Sequence, residues 1–112
     1  MLKIRPIPKR LLIHTAEYEQ FVENGRYREA YLPAITLENI RINFERSFSR
    51  ARDTESKSVK ALLFFDQRNS SATGEFEFKE KSKVTFQGVT MLITRINPLY
   101  TDTLHHYEIE LS

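Results

Sequence analysis

From Lys83 to Leu111 the chain is written in the period of a β-strand. Val84 and Phe86 alternate with Lys83 and Thr85, Gln87-Gly88 interrupts, and Val89 to Asn97 resumes with Met91 and Ile93 on alternate positions. Side chains two apart share one face of a strand, so this spacing suits a ladder with one buried face rather than a helix. Gly88 suits the left-handed position of a tight turn or bulge. Asn97-Pro98-Leu99-Tyr100 reads as a proline turn. A closing strand then puts Tyr107, Ile109 and Leu111 on one face and His106, Glu108 and Glu110 on the other.

Upstream, the same grammar recurs. Ile35 to Phe44 is a strand, because Ile40, Ile42 and Phe44 return at period two with no helical stripe. Val59 to Asp66 is an apolar run short enough for a strand buried on both faces. Leu11 to Phe21 reads as a strand with Leu11, Ile13, Tyr18 and Phe21 inward. Asn24-Gly25 is a hairpin signal, since both residues tolerate positive φ, and Arg26 to Tyr31 returns from it until Pro33 intervenes. Asn69 to Gly74 is turn-rich, and Glu75 to Phe78 is a short edge strand with Phe76 and Phe78 on one face. Pro6 and Pro8 bias residues 1–10 toward an extended arm. The expectation is an all-β chain: a single small antiparallel β-barrel or sandwich over residues 11–112, with an arm at 1–10 and a long polar loop at 45–60. Its core is expected to contain Ile40, Ile42, Leu63, Phe65, Val84, Phe86, Met91, Ile93, Tyr107 and Ile109.

Composition fits this plan and excludes several classes of function. A chain of 112 residues supports one modest core. Counting Gly and leaving out Tyr, its apolar share is about 38%, below the ~45–50% usual on that count. Either solvated loops dilute the core or neighbouring copies complete its burial. The 8 Phe and 5 Tyr supply large apolar side chains and argue against disorder. With no Cys there are no disulfides, thiolate metal sites or thiol nucleophiles. The basic start lacks an apolar run of signal-peptide type, and Ala61 to Phe65 is far too short to span a bilayer, so a soluble protein without a membrane partner is expected. A formal charge of +2 does not decide the partner.

The residues that could carry chemistry form no catalytic pattern. His105 and His106 are neighbours on a strand and should point to opposite faces, which works against joint chelation. His106 shares a face with Glu108, and His14 is a third candidate from another segment, but structural zinc needs four ligands at recognisable spacing. The two histidines read instead as a rim or subunit contact. Glu108 and Glu110 are a same-face pair of the kind a solvated strand carries, with no sign of the cleft that carboxylate catalysis needs. No nucleophile elbow or phosphate-cradling loop is present. Neither catalytic residues, nor a metal, nor a cofactor is expected. Arg41 to Arg50 interleaves basic and aromatic residues, a pattern that can bind single-stranded nucleic acid, but Ile42 and Phe44 read better as core.

Glu45 to Lys60 is the polar interruption, with five basic residues (Arg46, Arg50, Arg52, Lys57, Lys60) against three acidic ones (Glu45, Asp53, Glu55). A loop of that length in a compact domain is uncommon and is usually functional or disordered.

In their order, Ile35-Thr36-Leu37-Glu38-Asn39-Ile40-Arg41-Ile42, Ala61-Leu62-Leu63-Phe64-Phe65-Asp66 with Asn69-Ser70, Lys83-Val84-Thr85-Phe86-Gln87-Gly88, Ile96-Asn97-Pro98-Leu99-Tyr100 and His105-His106-Tyr107-Glu108-Ile109-Glu110-Leu111 resemble the minor capsid protein family of tailed phages and prophages. The resemblance covers most of residues 24–111, is strongest over 82–111 and is weak over 1–23. Those proteins look like relatives of the head-closure, or stopper, proteins, small β-barrels that form a ring beneath the portal. The resemblance implies a non-enzymatic structural protein of the virion at the head–tail junction. Its partners would be portal or adaptor and tail-completion proteins, copies of itself in a ring, and packaged DNA by non-specific contact. By the same analogy loop 45–60 would face the channel, with Arg46, Arg50, Arg52 and Lys57 near phosphates. The competing class is a small β-barrel that binds nucleic acid or protein without a virion role.

Overall fold

The alternating segments pair into one closed antiparallel barrel. In the computed structural model, residues 5–23, 29–44 and 60–112 are described. The strands are β1 (His14–Glu19), β2 (Phe21–Glu23), β3 (Glu29–Tyr31), β4 (Ile35–Phe44), β5 (Ala61–Asp66), β6 (Ser71–Ala72), β7 (Lys83–Phe86), β8 (Val89–Tyr100) and β9 (Leu104–Leu111). Six of them follow the order β1-β7-β8-β9-β5-β4, and β1 pairs with β4 to close the circle. β6 adds two residues beside Leu37 and Glu38 of β4, while β2 and β3 form a separate hairpin. Closure removes the free edges that would otherwise invite other chains.

Two local devices make the circle possible. Gln87 and Gly88 both take positive φ, 50° and 81°, so the β7–β8 turn is of the type I′ class whose twist matches its strands. Asn39 sits at φ 56°, between the pairs Thr15↔Glu38 and His14↔Ile40, as an extra residue in β4. Asn tolerates this left-handed conformation better than most residues. Such a bulge bends its strand and increases the local twist. Before the bend β4 runs beside β1 and β6, and after it residues 41–44 pair with β5.

The barrel interior holds Ala16, Tyr18, Leu37, Ile40, Ile42, Leu63, Phe65, Val84, Phe86, Met91, Ile93, Ile109 and Leu111, with Ala61 at its margin. Nine of the ten expected core residues are buried; Tyr107 is half-buried and packs against the cluster. In β5 the odd positions are buried, while Leu62 and Phe64 are only half-covered, so the strand is not sealed on both faces.

Four further expectations about the fold need correction. The strand expected over Leu11–Phe21 is a 3-10 turn at Lys9–Leu11 followed by β1 and β2, and the inward residues are Leu12, Ala16 and Tyr18. Leu11 and Ile13 are 41% and 64% exposed. The turn leaves Leu11 and Ile13 outside the strand, whereas Tyr18 is inward as expected. Second, Pro98 does not turn the chain: β8 continues through it to Tyr100, pairing Pro98 with Tyr107. Among the described residues, β8 beyond Ile93 has a partner only in β9, and an edge strand tolerates a missing N–H.

Third, Glu75–Phe78 is no edge strand. It crosses the barrel mouth with both rings turned in, and its backbone bonds go to side chains. The buried Tyr18 hydroxyl donates to Glu77 O at 2.7 Å and accepts from Lys79 N–H at 3.2 Å, while Glu77 N–H donates to Gln20 Oε1 at 2.9 Å. Phe76 and Phe78 meet Tyr18 and Phe65 edge-to-face, with centroids 5.4–5.7 Å apart. Fourth, the returning strand after the hairpin is only Glu29–Tyr31, paired with Phe21–Glu23; the Asn24-Gly25 turn lies outside the described residues.

Tyr18→Phe should therefore lower stability by roughly 1–3 kcal/mol, since the ring stays and two backbone groups lose their partner. Urea denaturation should show the loss, and amide exchange should localise it to residues 77–79. An unchanged midpoint would mean that the hydroxyl does not hold the segment.

Candidate functional site

The two ends of the β5–β9 pair carry the residues that sequence alone singles out. Ala61 pairs with Leu111 at one end and Asp66 with His106 at the other. Five residues of strand, at about 3.3 Å each, put these ends roughly 17 Å apart.

At the first end, Phe44 pairs with Ala61, so the connection between β4 and β5 leaves and re-enters the barrel at adjacent positions. Phe44 is 41% exposed and stacks on Phe86 with centroids 6.1 Å apart, which ties this end to the β7–β8 turn. Lys60 is exposed there. Arg46, Arg50, Arg52 and Lys57 lie in 45–59, outside the described residues.

At the second end, Asp66 is fully buried. Its Oδ1 accepts Ile7 N–H at 3.0 Å, and its Oδ2 accepts Arg68 N–H at 3.0 Å and Asn69 N–H at 2.9 Å. A buried carboxylate is tolerated when its oxygens are bonded in this way. Asn69 Nδ2 donates to Ile7 O at 2.8 Å, so the turn clamps both backbone groups of one arm residue. Residues 5–8 thus lie against their own barrel without forming a strand. Sequence reasoning passed over Asp66; the signal was present, since Asp followed by Arg-Asn-Ser two to four residues on has the composition of an Asx turn.

His105 and His106 meet at this end as well, which corrects the expectation that they diverge. Leu99 pairs with His106 and Tyr100 with Leu104, leaving His105 as a bulge that breaks the alternation. Their Nδ1 atoms are 2.8 Å apart. His105 Nε2 donates to Arg5 O at 2.8 Å, and His106 Nε2 donates to Glu108 Oε2 at 3.2 Å. Phe64 stacks on His106, and both line an open groove of about 460 Å³ with Ile7, Leu11, Arg41 and Asn43. Glu110 is half-exposed further along β9.

His14 takes no part in that cluster. Its Nδ1 accepts Ile42 N–H at 3.0 Å, and its ring lies edge-on to Phe86 at 4.8 Å. Burial and then the nearby Arg41 charge hold its pKa below the ordinary value. Among the described residues no group of three or more His, Cys, Asp or Glu is placed to hold a metal ion.

The model of the family described as minor capsid protein matches residues 8–111. This chain belongs to that family. The match begins upstream of β1, so it takes in the first strands, where the resemblance read from sequence was weak. Membership gives the chain a phage structural role as a component of the virion. No curated protein and no solved structure matches it.

The lowered pKa of His14 sets the sign of one pH effect. The folded state binds this proton less readily than the unfolded chain, so the contribution is full above about pH 6.5 and is lost as pH falls through the lower folded value. His14→Asn offers Ile42 a non-titrating acceptor. Between about pH 7 and pH 5 the wild-type denaturation midpoint should therefore fall further than that of the variant. Equal falls would mean that His14 is not coupled to folding.

Proposed function

We propose that this minor capsid protein is a head–tail junction subunit that rings the portal side of the head, closes it and offers a platform to the tail. What carries the reading is a closed barrel of this family with a long polar connection, residues 45–60, rooted at a single end by the Phe44↔Ala61 pair. Copies arranged around an axis with that end inward would direct the connections of all subunits at one channel. The segment holds five basic and three acidic residues, so the ring would multiply a local excess of two positive charges. Converging charge of one sign produces a strong local field.

In this reading Arg46, Arg50, Arg52 and Lys57 contact DNA phosphates without reading bases. Portal or adaptor and tail-completion proteins are the neighbours, and the finished location is the virion neck. Of the exposed apolar residues, Ile13 and Leu32 lie in connections and Val89 and Tyr100 at opposite ends of β8, a dispersal that suits a chain that is monomeric or weakly associated until a portal-like partner templates the ring. A binding module without a virion role is the weaker alternative, because family membership speaks for the particle.

Replacing Arg46, Arg50 and Arg52 together with Ser should leave the barrel folded but produce heads that lose packaged DNA, and DNA binding by assembled rings should weaken steeply with salt. Mutant heads that retain DNA as well as wild type would remove the gating role, and electron microscopy showing the chain outside the neck would remove the location.

A further inference from the structure

We propose that His105, His106 and Glu108 form a proton-dependent latch on the N-terminal arm, with one positive charge shared by the two imidazoles. The argument is a count of protons along a chain of three hydrogen bonds. Arg5 O can only accept, so His105 Nε2 carries a proton. The Glu108 carboxylate can only accept, so His106 Nε2 carries another. Two neutral rings would then face each other through unprotonated Nδ1 atoms, placing lone pairs 2.8 Å apart. A hydrogen bond at that separation needs one proton between the nitrogens. The intact chain therefore holds three protons on four ring nitrogens, one more than two neutral imidazoles carry. The charge belongs to the pair rather than to either ring.

The surroundings match this assignment. Glu108 supplies the counter-charge on β9 itself. On β5, Asp66 pairs in register with His106 but commits its carboxylate to the Ile7, Arg68 and Asn69 N–H groups. Arg41 on β4 shares the groove with His106, and its guanidinium is occupied by Leu11 O at 3.1 Å and Asn43 Oδ1 at 3.0 Å. Arg68 lines the recess on the other side of the arm with His105. From β8 the residues opposite are the uncharged Asn97, Pro98 and Leu99. Phe64 covers one face of His106. Among the described residues, Glu108 is thus the one anion bonded to the relay.

Loss of the third proton turns the Nδ1 contact repulsive, and the bond from His105 to Arg5 O is strained as the rings part. Histidine changes charge within the physiological pH range, so the arm is held at the acidic end of that range and loosened at the basic end. The bond from Ile7 N–H to Asp66 persists, so the change is a loosening at Arg5 and not unfolding. This inference does not depend on the virion role.

The test is NMR of the full chain with nitrogen-15 histidine, followed across the pH range in which histidine titrates. The latch predicts three ring N–H protons on the His105–His106 pair at the acidic end, loss of one on raising pH, and amide signals of Arg5 and Ile7 that move with the same midpoint. In Glu108→Gln the shared midpoint should move to lower pH, because an acceptor remains and the counter-charge is gone. Two ring protons at every pH would overturn the proposal, as would arm signals that stay fixed while the imidazoles titrate.

Discussion

The pairing of β1 with β4 is the constraint on which the structure depends. One sheet curls until its edges meet, and the core lies inside it. Ala16↔Leu37 and Tyr18↔Ile35 make that junction, and they place Ala16, Tyr18 and Leu37 inside. The Asn39 bulge lets β4 serve β1 and β6 before the bend and β5 after it. Closing the wall leaves an open mouth. Phe76 and Phe78 fill it, and Tyr18 links mouth to wall by ending in the hydroxyl that bonds the backbone of Glu77 and Lys79 beside them.

Strand content and the face of most strands were legible in sequence, because alternation is a local signal. Ile40 with Ile42, Leu63 with Phe65, Val84 with Phe86, and Met91 with Ile93 repeat at the strand period and are buried. What escaped before β1 is local: the turn at Lys9–Leu11 leaves Leu11 and Ile13 outside the strand. The other misses have non-local causes. Pro98 can sit in β8 because that half of the strand has a single neighbour among the described residues, which its own sequence cannot reveal. Phe76 and Phe78 look like alternating strand residues, yet the backbone of Glu77 between them bonds to the side chains of Tyr18 and Gln20, more than fifty positions away.

The candidate sites divide in the same way. The basic segment was conspicuous by composition, whereas the histidine pair was misread because alternation sends neighbours apart. The bulge at His105 overrides it, and a bulge depends on the length of the opposing turn, not on the identity of the histidines. The outcome is a barrel with two distinct ends: one roots the polar connection of residues 45–60, and the other clamps Arg5 to Pro8 through Asp66, Asn69 and His105. A subunit of a ring has use for both, since one end can face an axis while an arm reaches from the other.

Closure is the claim that most needs direct measurement, because an open sheet with the same strands would expose β1 and β4 as edges. Native-state hydrogen exchange, read residue by residue by NMR, distinguishes the two. The closed barrel predicts that hydrogen-bonded amides across the β1–β4 pair exchange only with global unfolding, at the same free energy as those of the β5–β9 pair. If the β1–β4 amides exchanged freely while β5–β9 stayed protected, the barrel would be open and the account of its core and its two ends would fail.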